Sequence, residues 1–242
     1  EIRLSLVGSE MCIRDRNNIF FIPDELYFPR GATLGKMRNF YKGYYENFSD
    51  KVFYKMTDAM GLSPSAGLQS FSKGMQRQAE IILAMATRPK YLFFDEVFDG
   101  IDPQKRNLCK KLFIEYMAET QCTILMSSHN LQEVADLCDH VALINGKNLT
   151  LDVSVDDASS AYKKYRIIFD RDVTVEDFSA ITYKDLTIES RMVSVIVDSQ
   201  MDSKVFEVLN PVHMDSVNLS LEEVFLNEME DRKYDISSIF SE

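Results

Sequence analysis

Basic residues are in short supply. Lys and Arg number 27 against 38 Asp and Glu, for a formal net charge of −11. Binding along a DNA or RNA backbone needs a concentrated basic face, so nucleic acid is not expected as the main partner, and only a local patch is left open. The four cysteines (Cys12, Cys109, Cys122, Cys138) show no CxxC spacing, and only three histidines accompany them. That argues against a disulfide scaffold or a structural zinc site and fits a reducing cytoplasm. No apolar run approaches the roughly 18–20 residues that a membrane-spanning helix needs, so any membrane association has to come through a partner or a surface helix. Internal repeats are also absent. Hydrophobic residues make up 45% and charged residues 27% of the 242, the balance of a globular chain with one large or two modest domains.

Periodicity and punctuation give the order of elements. The apolar run at 19–23 reads as a short buried strand stopped by Pro23. Over 33–60, Leu34, Met37, Phe40, Tyr41 and Tyr44, then Val52, Phe53, Met56 and Met60, recur at helical spacing until Gly61 and Pro64 break the pattern. A further helix is predicted over 72–87, with Pro89 ending it. Residues 91–94 form a dense apolar strand with Asp95 and Glu96 at its C-terminal end. Asp102 and Pro103 suit the cap and first position of the next helix, whose buried side is expected at Leu108, Leu112, Phe113 and Tyr116. A strand at 123–126, a short helix at 130–138 and a strand at 141–144 follow. This alternation points to the α/β class, a parallel sheet covered by helices. Asn145-Gly146-Lys147 signals a turn, and the Asp- and Ser-rich stretch 153–161 reads as a linker. From 162 to 242 the pattern becomes that of a small C-terminal α+β accessory domain. The segments 165–169, 192–197 and 205–209 suggest two or three strands plus a helix, with an amphipathic helix over 221–229 and fraying in the last dozen residues.

Four short motifs carry candidate chemistry. Ser72-Lys73-Gly74-Met75 opens a helix, where a hydroxyl and free N–H groups make an anion site and a glycine allows phosphate close to the backbone. The bland alternative is a serine cap on an exposed helix. Asp95 and Glu96 end a buried strand; the first carboxylate suits magnesium, and the second suits orienting a water or accepting its proton. Asp102 lies in Gly100-Ile101-Asp102-Pro103 and could be no more than a helix cap. His129 follows the next strand, at a sheet edge where ligands bind, although a lone histidine is often a structural or surface residue.

Taken in order, these motifs resemble the ATP-binding-cassette (ABC) transporter ATPase family over 19–152, with a looser likeness in the tail. Leu221-Glu-Glu-Val-Phe-Leu there is similar to the ending of many bacterial exporter subunits. The resemblance implies a P-loop NTPase-like parallel sheet over 17–152 with a helical subdomain at about 30–72, ATP and Mg2+ as cofactors, and a second ABC ATPase domain as partner in a homo- or heterodimer. It also implies a separate transmembrane permease and a place on the cytoplasmic face of the membrane. Ser72, Lys73, Gly74 and Met75 would form the signature motif, with lysine and methionine where the family has glycine and glutamine. Asp95 would hold magnesium, Glu96 act as general base, Asp102 cross the dimer interface and His129 contact the terminal phosphate. Asp24 takes the place of the family's magnesium-sensing glutamine, unless a one-residue slip puts Glu25 there.

One expected motif is missing. No GxxxxGK[ST] loop occurs, and Gly31-Ala-Thr-Leu-Gly-Lys36 is followed by Met37. Residues 6–16 resemble the translation of a transposase adapter used in sequencing libraries, so 1–16 is read as an artefact or a disordered natural start, and the natural chain as truncated. The expectation is an exporter ATPase whose present form binds ATP weakly and turns it over negligibly. The alternatives are a non-transport ATPase of the same superfamily and a catalytically dead regulatory or interaction domain.

Overall fold

The computed structural model describes residues 17–229. The adapter-like stretch and the end of the tail lie outside them. The described residues divide into two compact units at His129/Asn130.

The first unit is built on three parallel strands in the order β1-β2-β3: β1 (Ile19–Ile22), β2 (Tyr91–Asp95) and β3 (Thr123–Ser127). In-register pairing places Ile19, Tyr91 and Thr123 in one row and Phe21, Phe93 and Leu125 in another. Side chains alternate across a strand. The intervening positions Phe20, Ile22, Leu92 and Phe94 are therefore the buried ones. The helical pair α1 (Leu34–Tyr44) and α2 (Asp50–Met60) is capped by Thr33 and Ser49 and separated by a short break; Gly61, at φ 70, ends it. Both helices pack on α3 (Lys73–Thr87), and α3 packs on β1. Every position of α3 from Arg77 to Thr87 is buried, the signature of a helix covered all round.

Helix α4 (Pro103–Thr120) starts as its sequence suggests, with the Asp102 carboxylate accepting from Lys105 N–H at 3.0 Å and Pro103 in the first turn. Its buried side is Cys109, Phe113 and Tyr116, while Leu108 and Leu112 are only half-buried. Burial pushes the Cys109 thiol up to about 12, so it behaves as a small hydrophobe.

The second unit starts with α5 (Leu131–Leu137). Strand β4 (His140–Asn145), expected in the parallel sheet, instead pairs antiparallel with β5 (Asn148–Ser154) across the Gly146-Lys147 turn, with Gly146 at φ 61. The stretch read as a linker is the end of β5 and a short helix, α6 (Val155–Ser160). Ala158 of α6 is buried against Val134, Ile196 and Val224. Then comes an antiparallel sheet in the order β7-β8-β6-β9, from β6 (Tyr162–Ile168), β7 (Asp185–Glu189), β8 (Met192–Asp198) and β9 (His213–Val217). The segment 205–209, one of those expected to supply two or three strands and a helix, is a 3-10 helix, Ser203–Leu209, which places only Phe206 in the core. The closing helix is α7 (Leu221–Met229). Among the described residues, no helix is long and apolar enough to cross a membrane.

Candidate active site

Parallel strands bring their C-terminal ends to one edge, and the sequence puts polar residues there. Asp95 ends β2 opposite Ser127, the last residue of β3, and the Ser127 hydroxyl donates to Asp95 Oδ1 at 2.5 Å. The next peptide leaves the sheet: Glu96 N–H still reaches the Ser127 carbonyl at 3.3 Å, but Glu96 itself has φ 49, in the left-handed region. That conformation is unfavourable for a residue with a Cβ and is held by its surroundings. The Glu96 carboxylate meets His129 from the segment after β3, with Nδ1 to Oε2 at 2.8 Å. Glu96 is mostly covered, whereas His129 is largely exposed. Asp99 N–H donates to the Glu96 carbonyl at 3.1 Å and closes the turn.

The signature-like motif lies against this turn. Ser72 caps α3 by accepting from Met75 N–H at 3.2 Å, as its position before the helix suggests. Gly74 has a second reason to be glycine besides the phosphate approach inferred from sequence. A Cβ built there would come 2.2 Å from the Gly100 carbonyl oxygen, a distance that backbone must move to relieve. The aliphatic part of Lys73 flanks Gly100 from the same side. Asp102, two residues on, is engaged as the cap of α4.

Asp24 is held by another residue that the sequence reading missed. Arg77 on α3 is wholly buried, and its guanidinium donates to the carbonyls of Pro23 and Asp24 and, at 3.2 Å, to Asp24 Oδ1. The loop after β1 is thereby tied to the helix that carries Ser72, and the Asp24 carboxylate pairs with Arg77. One turn further along α3, Glu80 is buried and accepts from the Tyr41 hydroxyl at 3.1 Å. Burial pushes the Glu80 carboxyl up to about 7, against the opposing pull of the Tyr41 hydrogen bond and the Arg77 charge.

The structure thus gathers Asp95, Glu96 and His129 at one edge and sets Ser72–Gly74 beside the Gly100 turn. Two carboxylates and a hydroxyl are hard oxygen donors, a set that fits Mg2+. Asp99 joins the edge only through the left-handed step at Glu96, which no composition signal announces. Arg77 had a faint signal: it is a charge on a helix whose following positions are almost all apolar.

No protein-family model matches the chain. The ABC transporter ATP-binding protein YtrB of Bacillus subtilis is 24% identical over 160 residues, covering 66% of this chain and 55% of YtrB. The linearmycin resistance ATP-binding protein LnrL of the same organism is 34% identical over 145 residues, covering 58% of this chain and 46% of LnrL. The chain therefore spans about half the length of the curated relatives it matches. A solved ATP-binding subunit of an ABC transporter superposes with a TM-score of 0.56 at 22% identity, covering 61% of this chain and 63% of that one. Its likeness is one of fold: an α/β ABC-ATPase sheet with a helical subdomain.

Proposed function

We propose that this chain is an ATPase of the ABC-transporter family and part of a subunit that hydrolyses ATP to drive export through a separate membrane permease. The observation that carries the reading is the 2.8 Å contact between Glu96 and His129 at the C-terminal edge of the parallel sheet, beside the Asp95–Ser127 pair. Ligands of open α/β sheets bind at that edge.

In this reading, Asp95 would hold Mg2+, which supplies charge neutralisation to the phosphates when bound. Ser127 fixes the carboxylate of Asp95 by donating to one of its oxygens. Glu96 orients the attacking water and takes its proton, and His129 holds the Glu96 carboxylate in place. Ser72, Lys73 and Gly74, at the start of α3, would face the nucleotide of a second ATPase domain, and Asp102 would lie at the dimer interface. Asp24 acts through the loop that Arg77 anchors. Export, in preference to import, is supported by the relative named for linearmycin resistance and by the Leu221–Leu226 resemblance to exporter subunits. The site is assigned to the cytoplasmic face of the membrane that holds the permease, as the family resemblance implies.

Hydrolysis is a property of the whole protein in this reading, since the chain contains no GxxxxGK[ST] loop. The test uses protein expressed from the complete reading frame, recovered by sequencing genomic DNA upstream of Asn17. Glu96→Gln is expected to lower the ATPase rate at least about 100-fold with ATP affinity retained. A variant that hydrolyses at the parent rate, or one that loses ATP binding together with turnover, overturns the role given to Glu96.

A further inference from the structure

Hydrolysis as proposed gives no task to Asp99. Its carboxylate accepts no hydrogen bond among the described residues, yet its ligand oxygen lies with those of Glu96 and His129 in a group whose atoms are all within 4.8 Å of one another. Glu96 and Asp99 come from one turn after β2, closed by the Asp99 N–H to Glu96 carbonyl bond of 3.1 Å. His129 comes from the segment after β3. Two neighbouring carboxylates repel each other, and a cation between them turns that repulsion into attraction. The third donor sets the kind of cation. Imidazole nitrogen suits zinc, cobalt and nickel, whereas magnesium and calcium select oxygen. Bonds of about 2.0–2.2 Å to one ion bring ligand atoms to roughly 3 Å from one another. The Glu96–His129 contact is already there at 2.8 Å, so only Asp99 has to swing inward.

We propose that Glu96, Asp99 and His129 form a binding site for a divalent transition-metal ion of the zinc, cobalt(II) or nickel class. Three protein ligands leave coordination positions for water, and the ion takes the place of the Glu96–His129 hydrogen bond. One consequence rests on the role proposed for Glu96: the ion withdraws that carboxylate from water activation, so these metals inhibit hydrolysis while magnesium supports it. Binding itself rests only on the three side chains.

The test is calorimetric titration of the metal-free 242-residue chain with Co2+ and with Zn2+, with visible absorption of the bound Co2+ as a second readout. One Co2+ is expected to bind with a coordinated spectrum. Asp99→Asn, which keeps the size and polarity of the side chain, and His129→Ala are each expected to weaken it about tenfold or more with the circular dichroism unchanged. His140→Ala and His213→Ala, in the other unit, should leave affinity as it was. Equal affinity in the parent, Asp99→Asn and His129→Ala chains overturns the site, as does a parent chain that takes up no Co2+ at millimolar concentration. The titration contains no nucleotide, so its failure leaves the hydrolysis reading standing, and a failed Glu96→Gln assay leaves the metal site standing.

Discussion

The parallel sheet of β1–β3 and the antiparallel sheet of β6–β9 are made of strands of similar length, yet they bury their faces differently. In the antiparallel sheet, Tyr165, Ile167, Val193, Val195 and Val197 point into a core closed by Phe169, Phe178 and Phe206. At one end of its opposite face, Ile196 is covered by Leu219, Leu221 and Val224. In the parallel sheet, Phe20, Ile22, Leu92 and Phe94 are buried, but Phe21 is 55% and Leu125 63% exposed, with Ile19 and Tyr91 also open. Parallel strands are usually covered on both faces and read as continuous apolar runs. The strands Ile-Phe-Phe-Ile and Tyr-Leu-Phe-Phe-Asp have that composition, and the described residues cover one face only. Composition thus records the burial a strand is made for, and alternation in exposure records the burial it has. Among the described residues, the first unit buries two charged side chains, Arg77 and Glu80 on α3, and the second buries one, Glu133 on α5.

Substitutions on the two faces of β1 and β2 give the largest contrast. Phe94→Ala is expected to lower stability by about 3–5 kcal/mol, from lost burial plus the cavity left behind. Phe21→Ala, on the open face, should stay within about 1 kcal/mol. Urea denaturation of both variants decides it, and comparable losses would mean that the open face is covered in solution.

The next contrast concerns the buried charges. The folded Glu80 carboxyl is raised from 4.5 to about 7, so the native state holds a proton that the unfolded chain releases. Its contribution is fully present below about pH 4.5 and is lost as pH rises through about 7, a fall of about 3 kcal/mol. Glu80→Gln should remove that slope, leaving the variant more stable than the parent at pH 8 and nearly equal to it at pH 4.5. Melting curves across this range test it, and parallel pH profiles for parent and variant count against a raised Glu80.

The smallest of the three effects is local. Gly74→Ala pushes a methyl group onto the Gly100 carbonyl, and overpacking of this kind costs about 1–3 kcal/mol. Gly43→Ala, where a Cβ meets nothing within 4 Å, is the matched control and should be neutral or stabilising. Similar melting temperatures for the two variants would mean that the α3 start and the Gly100 turn separate easily.

The sequence disclosed those parts of the molecule that depend on neighbours along the chain. Ser72 and Asp102 cap helices because a side chain three residues away from an amide can reach it. Asp95, Glu96 and His129 stood out because each ends or follows a short apolar run. Partnership across the chain was not legible. An apolar run at 141–144 does not state whether its neighbour is parallel, and the Asn145-Gly146 signal reads only as a turn. Strands β7 and β9 are sheet edges with many polar residues, and Val205 to Leu209 carries apolar residues without the alternation of a strand. Arg77 and Asp99 become site residues only through tertiary approach, to the Pro23–Asp24 loop in one case and to His129 in the other.

The backbone at Glu96 has a consequence for anyone who would improve this protein. At φ 49 the position favours glycine or asparagine, and an L-residue with a longer side chain gives up about 1 kcal/mol to stay there. Selection for heat resistance alone would therefore favour the two residues that lack the carboxylate. If Glu96 activates water as proposed, a stabilised variant obtained without an activity screen would be enriched in changes at a position where thermal tolerance and turnover pull in opposite directions.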